Sequence, residues 1–295
     1  MYIRVIPVFT KVYVFGNCYT KTSILQAGPP KSCYNRINMT ESATGIDRFR
    51  AILVLAATIG TIFFNWLAAM GRIGGVTPAE ISDKYPTLIT PAGYAVAIWS
   101  LIYVGLIAFS IYQLLPANIA RYRNIRSLYI ATCALNCGWI YFWHGDQIVV
   151  CMVLILGLLA TLSVINAKFR ETDGSGEYWL VKAPFSVYFG WVTAATLVNF
   201  AILLVYLGVE LSTSAATGVA VGIILLAGTL GVVVRKFLNN DLYPLAIAWA
   251  LTAIGIKQSG QTLIVFAAAI GVVACLIATL SFVVNLPTSG HPANQ

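Results

Sequence analysis

The chain has 295 residues, 59% of them hydrophobic and 9% charged, with a mean hydropathy of +0.83 and a formal net charge of +8. A soluble domain of this size cannot hide so much apolar surface, because the buried fraction rises only slowly with chain length. A basic nucleic-acid binder is set aside too: the charges punctuate apolar stretches and suit helix ends facing anionic lipid headgroups.

Residues 1–38 are basic, lack Asp and Glu, carry Cys18 and Cys33, and contain no span-length apolar run. They are expected to be an added start upstream of Met39, a disordered arm or a targeting peptide. Beyond them, a bilayer needs about 20 apolar residues per helix. Charge-free intervals of about that length run Ala51–Met70, Tyr94–Leu114, Ser127–Trp143, Ile148–Ala167, Ala183–Leu207, Ala216–Val234, Leu242–Ile256 and Thr262–Val284. The prediction is an all-α polytopic membrane bundle with eight spans. The seventh, between Asp241 and Lys257, is short, so it tilts little, borrows interfacial residues such as Tyr243, or fails to cross.

Lys and Arg set orientation. Arg48, Arg50, Arg121, Arg123, Arg126, Lys168, Arg170, Lys182, Arg235 and Lys236 fall on one side, whereas the opposite loops hold Arg72, Lys84 and Lys257. This predicts a multi-pass protein of a bacterial-type cytoplasmic membrane with both termini in the cytoplasm.

The second span opens on Thr90-Pro91, a cap followed by a first-turn proline, and carries Tyr94, Trp99 and Tyr103. In the third, Tyr129, Asn136, Trp139 and Trp143 recur at helical spacing and share a face. The fifth repeats the pattern with Pro184, Tyr188, Trp191, Ala195 and Asn199. Asn136 and Asn199 lie inside spans, where an unpartnered amide is expensive. They either bond another helix or line a cavity with the tryptophans. Trp143, Tyr178 and Trp179 suit a membrane-interface belt, whereas Trp99, Trp139 and Trp191 lie deeper and are the pocket candidates.

These segments resemble the TspO/MBR family, the translocator or tryptophan-rich sensory proteins. The resemblance covers about residues 51–207. It rests on Tyr85-Pro86 with Thr90-Pro91-Ala92-Gly93-Tyr94 and Ile98-Trp99-Ser100-Leu101-Ile102-Tyr103, on Leu135-Asn136 with Trp139 and Phe142, and on Pro184-Phe185 with Gly190-Trp191-Val192-Thr193-Ala194-Ala195-Thr196-Leu197-Val198-Asn199. It implies a five-helix bundle over about residues 39–210, with a pocket binding a flat hydrophobic ligand such as a tetrapyrrole (protoporphyrin or haem). By position, Trp99, Tyr103, Asn136, Trp139, Tyr188, Trp191 and Asn199 would line it. Two positions depart from the pattern: Ala92 replaces a Pro in the loop, and Phe185 replaces a Tyr. The sterol-associated pattern of Leu/Val, Tyr and Lys/Arg is missing after the fifth span, since Tyr206 is followed by Leu207-Gly208-Val209-Glu210 with no nearby base, so sterol binding is not expected.

Residues 211–295 form a three-helix extension beyond that resemblance. Its Gly218-xxx-Gly222, Gly228 and Gly231 allow close helix approach, as generic packing or as the face of a homodimer. Trp249, Lys257 and Gln258 read as an interfacial end of the seventh span.

For function, an ion-coupled transporter ordinarily places carboxylates or bases within the membrane, and here the acidic residues fall in loops or at helix ends. General acid–base catalysis has the same shortage: His144 with Asp146 is the lone candidate pair, and it reads as a wet helix terminus. With two histidines in the chain, no metal cluster is expected. The expectation is a binding or sensory protein that requires no cofactor and whose partners are lipid and a hydrophobic ligand. A small-molecule or lipid transporter and a light-dependent porphyrin-degrading enzyme are the alternatives. The glycine-rich loop 71–90 is the candidate lid, with Arg72 and Lys84 as candidate contacts for ligand carboxylates.

Overall fold

The computed structural model describes residues 43–284. The leader 1–38, with Cys18 and Cys33, lies outside the described residues. Every expected span is present as a helix. The elements are α1 (Gly45–Ala69), α2 (Pro78–Asp83), α3 (Ile98–Tyr112, entered through a 3-10 turn, Gly93–Ala97), α4 (Arg123–His144) and α5 (Ile148–Lys168). They continue with α6 (Ala183–Tyr206, entered through a π turn, Tyr178–Lys182), α7 (Thr213–Leu238), α8 (Tyr243–Lys257) and α9 (Thr262–Val284). Six stretches are long and apolar enough to cross a bilayer. The other two expected spans are α4, which opens with Arg123 and Arg126, and α8, whose 15 residues reach only about 22 Å at the helical rise.

α1 packs on α3 and α4, α4 on α5, α5 on α6, and α6 on α3, which closes a ring of five helices. α7, α8 and α9 pack on one another and join the ring through α6, chiefly by way of α8. Lipid tails are as apolar as leucine, so such contacts depend on small residues and hydrogen bonds. A Cβ at Gly190 would stand 2.5 Å from the Tyr243 carbonyl oxygen and 2.8 Å from the Ala246 Cβ. Glycine there lets α8 seat directly on α6. The same device joins α7 to α9, where a Cβ on Gly228 would meet the Gly271 Cα at 2.9 Å and one on Gly231 the Cys275 Sγ at 2.4 Å. Gly218 and Gly222, the pair picked out by sequence, have nothing within 4 Å of a built Cβ.

α8 differs from a short span leaning on interfacial residues. Tyr243 is buried, its backbone N–H donates to Asn240 Oδ1 and its hydroxyl to Thr193 Oγ1 of α6 at 2.9 Å. The helix therefore begins beside Gly190, seven residues into α6, roughly 10 Å along it.

Charges at the end of the bundle that holds residues 113–123, 169–182 and 239–242 turn inward as well as outward. Arg126 is 0% exposed, with Nε donating to Gln113 Oε1 at 2.8 Å, a second nitrogen donating to the Ile119 carbonyl, and Asp47 at 3.8 Å. Asp47 also takes Arg123 at 2.8 Å. Arg121 spans Glu177 through Nε at 3.1 Å and Nη2 at 2.7 Å, and Tyr122 donates to the same carboxylate. Arg235 holds Asp241 at 2.8 Å. Several helix-end charges thus lock helices together instead of facing headgroups.

Candidate ligand site inside the five-helix ring

The 3-10 turn leads straight into α3 and places Trp99 at its second residue, with Tyr103 one turn on. The two rings stack at 5.5 Å between centroids and 25° between planes. From α6, Tyr188 and Trp191 meet Trp99 edge-on at 5.8 Å and 6.4 Å. Four candidates, Trp99, Tyr103, Tyr188 and Trp191, therefore form one aromatic cluster across the α3–α6 wall. The rings rest on each other, so a planar guest has to part them.

α4 adds Asn136, 2% exposed, whose Oδ1 accepts from Asn65 Nδ2 of α1 at 2.7 Å. Asn65 was not among the sequence candidates, although an amide inside the apolar run of α1 is the same signal that marked Asn136. Asn136 thus joins α1 to α4. One turn on, Trp139 stacks on Trp143 at 5.2 Å. Asn199, 2% exposed, follows Trp191 by two turns on α6.

Three buried atoms of these candidates have no hydrogen-bond partner: Trp139 Nε1, Trp191 Nε1 and Asn199 Oδ1. An unmet buried donor or acceptor costs about 1–3 kcal/mol, and helices tightly tied elsewhere retain all three. Two N–H donors and one carbonyl acceptor are therefore unused on α4 and α6.

The loop between α1 and α3 forms a fixed cap over the adjoining helix ends. α2 carries a reciprocal cap, in which Thr77 N donates to Glu80 Oε2 at 2.6 Å and Glu80 N to Thr77 Oγ1 at 3.3 Å. These bonds hold the Glu80 carboxyl below its ordinary value, the Thr77 backbone N–H being the main cause. Trp143 Nε1 donates to the Pro78 carbonyl at 3.1 Å, and Ile81 buries against Trp143, Ile148 and Ile202. Trp143 is buried and anchors this loop, in place of the interface role expected of it. Trp179 is exposed, as a belt residue would be.

At the α4–α5 turn, Asp146 accepts from Lys84 Nζ at 3.1 Å and from Tyr85 Oη at 2.9 Å. Burial, followed by the bond to Asp146, pushes the Tyr85 hydroxyl up to about 12. Arg72 and Lys84 are exposed in the loop, and among the described residues neither pairs with a ring of the cluster. His144 is buried with Nδ1 2.7 Å from the Ile140 carbonyl, so Nδ1 donates there and the expected wet pair with Asp146 is not formed.

The two departures from the family pattern have structural roles. Phe185 is fully buried against Phe109 at 4.9 Å and Tyr129 at 5.8 Å, an apolar core that needs no hydroxyl. Ala92 N donates to the Ala253 carbonyl of α8 at 3.0 Å, a bond proline lacks the N–H to make. Two apolar clefts lie elsewhere. One, of about 230 Å³, is lined by residues 86–89, the end of α6 and the start of α7; the other, of about 590 Å³, lies between α7 and α9.

No curated protein and no solved structure matches the chain. The family model described as TSPO-like protein matches residues 51–282, which takes in the five-helix ring and continues through α7 and α8 into α9. With a match over most of its length, the chain belongs to the TSPO-like family.

Proposed function

We propose that this integral membrane protein is a binding or sensory protein of the TspO/MBR type. Its ligand is a flat, mostly apolar molecule such as a porphyrin, held between α3, α4 and α6. The observation that carries this reading is the meeting of Trp99, Tyr103, Tyr188 and Trp191 in one cluster, together with unpartnered buried groups on Trp139 of α4 and on Trp191 and Asn199 of α6. Rings supply stacking area, and the indole N–H groups and the amide oxygen supply direction for a polar rim. Lys84 is engaged by Asp146, so recognition rests on ring faces and neutral dipoles more than on charge. The basic side faces the cytoplasm in this proposal, which places loop 71–90 on the opposite surface.

Titration of the detergent-purified protein with protoporphyrin, followed by tryptophan quenching, tests it. Each favourable ring pair is worth about 0.5–1.5 kcal/mol beyond area burial, so Trp99→Phe with Trp191→Phe is expected to weaken binding about tenfold. An unchanged dissociation constant in the double variant rejects the site.

A further inference from the structure

α8 meets both walls of the aromatic cluster. At its start, Tyr243 and Ala246 seat on Gly190, the neighbour of Trp191, and the Tyr243 hydroxyl bonds Thr193. At its other end it holds the segment leading into Trp99. Trp249 Nε1 donates to the Ala95 carbonyl at 2.9 Å, Tyr94 meets the Trp249 ring edge-on at 5.4 Å, Ala92 N donates to the Ala253 carbonyl at 3.0 Å, and Gln258 Nε2 reaches the Thr87 carbonyl at 3.5 Å. Trp249, Ala253 and Gln258 follow four and five residues apart, so a single stripe of α8 grips four points between residues 87 and 95. Ala253 lies one turn before the end of α8, and its carbonyl accepts the Ala92 N–H in addition to its place in the helix.

We propose that α8 is a strut fixing the separation of Trp99 from Trp191, with Trp249 as a positioning residue, so that the C-terminal helices control admission to the site. This rests on the ligand reading above and deepens it. The rings close on one another, and a guest enters only as α3 and α6 part. α8 is tied to both, so it sets the resistance to that parting.

Two variants address the bonds without removing the packing. Trp249→Phe keeps a ring against Tyr94 and deletes the donor to Ala95. Ala92→Pro deletes the donor to Ala253, and the Ala92 φ of −63° is the value a proline ring imposes. Cys137 supplies a native reporter: it is half-buried on α4, adjoins Asn136 in the chain, and donates to Thr61 of α1. Cys151 on α5, buried and bonded to the Trp139 carbonyl, serves as the reference.

The full chain in detergent is alkylated with N-ethylmaleimide and each cysteine is followed by peptide mass spectrometry, without ligand. A lost hydrogen bond of ordinary strength predicts that Cys137 reacts about three- to tenfold faster relative to Cys151 in each variant. Protoporphyrin association is expected to accelerate alongside. Faster Cys137 labelling supports the strut even where the wild-type protein binds no protoporphyrin, an outcome that rejects only the ligand assignment. Wild-type labelling ratios in both variants, or equal acceleration at Cys151, overturn the proposal.

Discussion

Arg126 brings a full positive charge into the buried end of the helix bundle. In the sequence it precedes the charge-free interval and counts as a topological marker. In the fold it occupies the first turn of α4, wholly buried, with Gln113, Ile119 and Asp47 around it. Truncating one partner of a buried pair leaves an uncompensated charge at a cost of about 3–5 kcal/mol. Arg126→Ala is therefore expected to lower thermal stability in detergent strongly, and Asp47→Ala to a lesser degree because Arg126 keeps its bonds to Gln113 and Ile119. A thermal midpoint for Arg126→Ala within a degree of the wild type would contradict the account. Asn136 makes the same point for an amide. Asn136→Ala leaves the Asn65 amide without its 2.7 Å acceptor, so a loss of about 1–3 kcal/mol in stability is expected, along with any loss of ligand. Asn65→Ala in combination separates the two effects, since the double variant removes both partners.

At the level of elements, α2 has the clearest pH response. Its Glu80 carboxyl is held below the ordinary value in the folded chain, so the ionised form favours the cap. That contribution is complete above the unfolded value of 4.5 and fades as pH falls through the lower folded value. Amide exchange at Thr77 and Glu80 is expected to quicken below that range relative to the core, and Glu80→Gln to abolish the pH dependence. α8 marks the limit of inference from pattern. Its existence, length and position follow from the interval between Asp241 and Lys257. Its role does not, because two of its anchors are backbone groups, Ala92 N–H and the Ala253 carbonyl, which leave no trace in residue type. Trp249 was visible, but an indole near a helix end fits a membrane interface as readily as a carbonyl of another helix. Among the glycines of α7, Gly228 and Gly231 meet Gly271 and Cys275 of α9 while Gly218 and Gly222 have open space, because spacing permits close approach and the partner helix fixes where it occurs. Gly190→Leu forces α8 off α6 and is expected to lower stability by about 1–3 kcal/mol through overpacking, read as a lower thermal midpoint.

Across the whole molecule, the hydrophobic intervals yielded all eight helices, since an unbroken apolar run of about 20 residues satisfies its backbone in lipid within itself only as a helix. The helical spacing of Trp99 with Tyr103 and of Tyr188 with Trp191 gave which residues share a face, and the fold brings those two faces together. Sequence did not indicate that Arg72 and Lys84 remain outside, or that loop 71–90 is a pinned cap, since its restraints are the Trp143 bond to a carbonyl and the Asp146 pairing with Lys84 and Tyr85.

The half-length α8 also bears on how the protein is made. A segment of 15 residues whose first turn needs Thr193 and Asn240, and whose last turns need the backbone of residues 87–95, has few stabilising partners while alone in the translocation channel. Its stable insertion has to wait until the earlier helices stand beside it and α9 has emerged behind it. Biogenesis then acquires an order in which the ring is built first and sealed last, and ribosomes arrested shortly after residue 257 should hold a chain whose α8 is still accessible to water-soluble thiol probes placed along it.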